Sequence, residues 1–139
     1  MLSVSLERVT EQDLVSMLFN REDSRLAART FVGWLKRRNG RCSKKEMSGF
    51  SHDLASGRLG VKLSRTNFYK TILARFIDLG LVAEDLVYDP EARKAVKAYH
   101  VVVQPVSGRR PTSPSLLFLA HVVSERWNQE IFESSASLA

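Results

Sequence analysis

The sequence predicts a mainly α-helical chain that carries one small β-hairpin. Apolar residues recur at spacings of three and four through the first 80 positions, in runs opened by Ser, Thr or Asp and closed by Gly or Asn. After Gly80 the pattern changes to short β-branched and aromatic runs around a Pro-containing turn. At 139 residues, with 44% apolar and 26% charged residues, the chain has the size and composition of one soluble domain plus an accessory helix.

Thr10 is the expected cap of a first helix, with Leu14, Val15, Leu18 and Phe19 on its apolar face and Asn20 at its end. Asp23 or Ser24 is expected to cap a second, whose Leu26, Ala27, Phe31, Trp34 and Leu35 repeat at helical spacing. That helix ends in Lys36, Arg37, Arg38, Asn39 and Gly40, cations in the last turn followed by glycine. Ser43 and Glu46 form a capping box for a third helix with Met47, Phe50, Leu54 and Ala55 as its buried stripe, closed by Gly57 and Gly60. Ser64 caps the clearest helix, in which Phe68, Ile72, Leu73, Phe76, Ile77 and Leu79 are expected inside and Gly80 is the stop.

Beyond Gly80, Leu81–Val82, Leu86–Tyr88 and Val96–Val103 alternate with polar residues, and Pro90 suits the second position of a type I turn over Asp89–Ala92. Residues 104–114 read as a linker with Pro105, Gly108, Pro111 and Pro114. Ser113 and Pro114 then open a last helix running to about Phe132. The expected organisation is an N-terminal helix in residues 1–22, a central domain in 23–104, and the linker with the C-terminal helix in 105–139.

Charge is distributed unevenly. The net excess is +6, yet residues 36–75 alone hold eleven Lys or Arg against Glu46 and Asp53, while both flanks are net acidic. A cationic segment of this kind is the footprint expected of a surface that meets phosphate, although a solvated basic face would look alike in composition.

Order gives the charge a meaning. Helix, helix, glycine-containing turn, helix and hairpin is the succession of a winged helix-turn-helix over residues 43–103, in which one helix supports and the next enters the major groove of double-stranded DNA. Ser43–Ser56 is then the support and Arg65–Leu79 the reader. Removing the apolar stripe leaves Arg65, Thr66, Asn67, Lys70, Thr71, Ala74 and Arg75 outward. Arg matches guanine O6 and N7, Asn matches adenine N6 and N7, and the Thr methyl matches thymine, so Arg65 and Asn67 in the first turn are the base-contact candidates. Lys70 and Arg75 are phosphate candidates, as are Ser43, Lys44 and Lys45 at a helix N-terminus, Ser64 at the next, and Arg58 and Lys62 in the turn. Arg93, Lys94 and Lys97 flank the hairpin tip beside Asp89 and Glu91, and residues 36–41 could clamp a neighbouring strand. Tyr69, Phe50, Phe68 and Phe76 read as core residues rather than base-stacking platforms.

The stretch LARFIDLGLVAEDLVYDPEARKA resembles the reader-helix end and wing of MarR-like winged-helix transcription regulators, where an LGLV-type junction leads to a DPE-type turn followed by cations. The likeness covers residues 64–103 and implies a DNA-binding homodimer held by terminal helices. Ala83, Glu84 and Asp85 stand where that family usually has a cation, and GRLGVKL is a longer turn than usual. The chain's own residues allow such a dimer: Leu116, Leu117, Leu119, Ala120, Val123, Trp127 and Ile131 make the last helix apolar over more than one face. Two readers would then sit about 34 Å apart.

Other classes find less support. His52, His100 and His121 are scattered, and no zinc, nucleophile-elbow or phosphate-loop motif occurs, so neither an enzyme nor a cofactor or metal is expected. Cys42 lies in RRNGRCSKK, where cations could lower its pKa, but a chance thiol is the simpler reading. The start MLSVSLERVTEQD has no secretion-signal pattern and the longest apolar run is too short to span a bilayer, so a cytoplasmic, nucleoid-associated protein is expected. The competing class is a winged helix for protein recruitment, or one serving replication, partition or recombination.

Overall fold

A computed structural model describes residues 13–105 and 116–133 of the chain. These belong to two compact units, one made by Arg21–Val102 and the other by the segments on either side of it. The described residues are mainly helical with a small antiparallel sheet, and among them no helix is long and apolar enough to cross a membrane.

The first described helix, α1 (Leu14–Leu18), is capped by Asp13, whose carboxylate accepts from the Ser16 amide at 3.3 Å. Thr10, the expected cap, lies outside the described residues. In the Arg21–Val102 unit, α2 (Glu22–Arg37) begins one residue before Asp23. Its N-cap is Arg21, which makes no side-chain cap bond, and Asp23 instead accepts from the Ser24 amide inside the first turn. β1 (Arg41–Ser43) follows, then α3 (Lys44–Ser56), whose capping box is complete: Ser43 Oγ accepts from the Glu46 amide at 3.1 Å and Glu46 accepts from the Ser43 amide at 2.9 Å.

Helix α4 is composite, with an α turn at Arg65–Asn67, a π-helical segment at Phe68–Leu73 and an α segment at Ala74–Asp78. Ser64 Oγ caps it by accepting from the Asn67 amide at 3.2 Å. Within the π segment bonds reach back five residues, as from the Ala74 amide to the Tyr69 carbonyl. At the C-terminus Gly80 adopts a left-handed φ of 75°, and the amides of Gly80 and Leu81 donate to the carbonyls of Ile77 and Phe76. This is a Schellman closure that turns the chain directly into the sheet.

β2 (Val82–Asp89) and β3 (Lys94–Val101) form the hairpin, starting earlier than the apolar runs suggest because Ala83–Asp85 are also paired. The tip is not the expected four-residue turn: the Arg93 amide donates to the Asp89 carbonyl at 2.8 Å with Arg93 itself left-handed, closing a loop over residues 90–93. β1 pairs antiparallel with β3, Arg41 opposite His100 and Ser43 opposite Ala98, so the sheet has three strands in the order β1-β3-β2. The three-residue β1 was not expected from the sequence. Gly40 makes it possible, since a Cβ there would collide with the Val101 side chain and its φ is 75°.

The core of this unit is aromatic. Phe31 lies 5.2 Å from Phe68, 5.5 Å from Phe76 and 5.6 Å from Phe50, ring centroid to centroid. Met47, Leu54, Ile72, Leu81 and Val82 complete it. Leu79, expected inside, is 47% exposed, because the helix ends at Asp78 before its turn reaches the core.

In the other unit, α5 (Leu116–Asn128) continues into a π-helical turn at Gln129–Glu133. Asn128 accepts from the Gln104 amide at 2.8 Å and donates to its carbonyl at 3.0 Å. Phe118 and Val122 form a cluster with Met17 and Leu119. Trp127 and Ile131, expected at a dimer interface, are buried within the chain. A fully buried indole is already covered, so these two do not belong to a free face. Leu117 and Ala120 are exposed, Leu119 and Val123 half-buried, and the side chain of Leu116 lies outside the description.

Candidate functional site

The most developed surface feature of the Arg21–Val102 unit is the polar side of α4. Because Phe68, Ile72, Leu73 and Phe76 are held in the aromatic core, Arg65, Thr66, Asn67, Lys70 and Arg75 are exposed and Thr71 is half-buried. Arg65, Thr66, Tyr69 and Lys70 line a shallow groove along the helix. Another groove of about 550 Å³ lies between α4, the N-terminal end of α3 and the sheet, with Lys44, Ser48, Arg65, Tyr69, Lys97 and Tyr99 on its walls and Asp78 and Glu84 at its acidic side.

Arg65 does not extend freely into solvent. Its Nε donates to Ser51 Oγ at 3.2 Å and an Nη donates to Ser48 Oγ at 3.1 Å. Asn67 is exposed, its amide committed to the Ser64 cap. Lys44 and Lys45 are exposed in the first turn of α3, and Ser43 is half-buried because its hydroxyl serves the capping box. Arg58 and Lys62 are exposed in the α3–α4 turn, Arg58 within 3.8 Å of Asp53.

The hairpin cations differ. Lys97 lies 4.0 Å from Glu84, Lys94 stands opposite Asp89 in the register, and Arg93 is exposed on the loop. Leu86, Val87 and Tyr88 on β2 are exposed by 50% or more of their area. In the basic stretch 36–41, Arg38 is paired with Glu46 and stacked over Trp34, 5.2 Å from the ring centroid, which removes it from any clamp.

Cys42 departs from its sequence neighbourhood. On β1 it points inward between the exposed Arg41 and the half-buried Ser43, and burial raises its pKa from 9.0 to about 11 despite the opposing pull of Arg38. The thiol is a core group, not an activated one. Burial, then the charge of Glu84, also raises the Tyr99 pKa. A third groove, of about 400 Å³ beside Cys42, is lined by Arg41, Glu46, Asp85 and His100, with Asp85 and His100 in contact. His121 Nδ1 lies 2.7 Å from Glu125, and His52 is exposed. Among the described residues no three potential metal ligands come together.

Sequence reasoning missed Ser48 and Ser51. One signal was present: Ser51 falls four residues after Met47 and three before Leu54, on the buried stripe of α3. Tyr69, read as core, is half-buried and lines both grooves of α4. No protein-family model, curated protein or solved structure matches the chain.

Proposed function

We propose that Arg21–Val102 is a winged helix-turn-helix module that binds double-stranded DNA, with α3 as support, α4 as reader and the β2–β3 hairpin as wing. The observation that carries this reading is the division of α4: an apolar side fixed by Phe68, Ile72 and Phe76, and an exposed side bearing Arg65, Thr66, Asn67 and Lys70 from the first turn onward. Those side chains offer donors in the arrangement that base edges and phosphates accept. The N-terminus of α3 adds a second phosphate-seeking point, with Lys44 on the wall of the groove next to α4 and Lys45 exposed in the same turn. The closest functional class is transcription regulation in the manner of MarR-like proteins, as a homodimer whose contact uses Leu117 and Ala120 of α5 rather than Trp127 or Ile131.

Titration of fluorescent random duplex with the protein at several salt concentrations tests the reading. Affinity is expected to fall linearly on a log–log plot, with a slope of about 0.9 for each phosphate contacted. Absent or salt-insensitive binding overturns it. The second reading, recruitment of a protein, draws on Leu86 and Tyr88, which are exposed on the same face of the acidic hairpin. It predicts absent or salt-insensitive binding of duplex.

A further inference from the structure

Arg65 opens α4, yet one edge of its guanidinium is turned back to α3, where the hydroxyls of Ser51 and Ser48 accept from Nε and an Nη at 3.2 and 3.1 Å. Ser51 can only accept there, because its own proton is donated to the Ser48 carbonyl at 2.7 Å. It is also fully buried, on a stripe otherwise made by Met47, Phe50 and Leu54. Ala would serve that helix position better, so packing does not explain the hydroxyl. Holding Arg65 does.

Both acceptors are neutral. A guanidinium held by a carboxylate has its charge compensated, whereas one held by two hydroxyls keeps that charge and the N–H groups of its other edge. Fixing a long side chain in advance also removes part of the rotamer entropy that recognition would cost. On the reading that α4 meets duplex DNA, we infer that Arg65 reads a guanine through O6 and N7, and that Ser48 and Ser51 are positioning residues that set the edge it presents. Guanine is the base whose major-groove side offers two adjacent acceptors to such a fork, and first-turn residues are the ones that reach base edges. A phosphate also accepts two guanidinium bonds but carries no sequence information, which separates the alternatives.

Duplexes recovered by the wild-type protein from a random pool are sequenced and then titrated with Arg65→Ala, Ser51→Ala and the double variant, each checked for folding by circular dichroism. One G·C position is expected whose replacement weakens wild-type binding by about 5- to 150-fold. Placing 7-deazaguanine there, which lacks the N7 acceptor, reproduces part of that loss. Arg65→Ala is indifferent to both changes, Ser51→Ala keeps part of the preference, and adding Ser51→Ala to Arg65→Ala changes base preference no further. Ser48→Thr, which retains the hydroxyl, keeps the preference that Ser48→Ala reduces. Uniform weakening of all duplexes by Arg65→Ala, with preference intact, makes it a phosphate contact and overturns the assignment. A Ser51→Ala variant with lowered stability and unchanged preference reduces the serine to a structural tie and overturns its role. A wild-type protein that recovers no duplex instead ends the DNA-binding reading, and this assignment with it.

Discussion

Helix α4 and the hairpin carry the same number of cations and hold them differently. From Arg65 to Asp78 there are three Lys or Arg against one acid, on a face whose reverse side is locked into the aromatic core. From Val82 to Val101 there are three against four acids; Lys97 approaches Glu84, and Leu86 and Tyr88 stand uncovered. A helix anchored in the core thus presents Arg65 and Lys70 at fixed spacing on its exposed side, while the hairpin pairs Lys97 with Glu84 and is lightly packed toward its tip. Specificity needs the first kind of surface, since a positioned donor discriminates between bases and a screened one does not.

That contrast can be broken most readily through stability. Phe68→Ala is expected to cost about 3–5 kcal/mol, because the ring is fully buried against Phe31 and Phe50, whereas Leu86→Ala, 75% exposed, should stay within about 0.5 kcal/mol. Urea denaturation midpoints measure both. Comparable losses would mean that the hairpin is as firmly packed as the helix. Next comes charge. Replacing Lys44 and Lys45 with Ala should lower the salt slope of duplex binding by up to about 1.8, and replacing Arg93 and Lys94 by less than half as much. The reverse ranking would move the principal contact to the wing.

The smallest effect concerns Cys42. Its folded pKa of about 11 exceeds the usual 9.0, so below pH 9 the thiol is protonated in both states and makes no pH-dependent contribution. Between pH 9 and 11 the unfolded chain loses the proton while the folded one retains it, and stability should fall with rising pH. Alkylation by iodoacetamide at pH 8 is expected to be slow until urea unfolds the chain. Rapid reaction of the folded protein would place the thiol at the surface.

Local signals in the sequence were the ones that could be read. Ser43 with Glu46, Ser64 and Gly80 act through bonds spanning a few residues, and each stands where its spacing put it. Pairing across the chain was opaque: β1 is three residues long and exists because β3 lies beside it. The same holds for Arg65, whose partners are 14 and 17 residues away. Periodicity established that α5 is apolar on several sides without saying what covers them, and Trp127 and Ile131 proved to be covered by the chain itself. For Cys42, strand alternation outweighed the cations beside it.

The most direct measurement is an amide NMR titration of the protein with a short duplex. Shift changes are predicted to concentrate at Ser43–Lys45 and Ser64–Thr71, with weaker changes along Arg93–Lys97. Changes confined to Leu86–Tyr88, or none at α4, would contradict the claim that its polar face meets DNA.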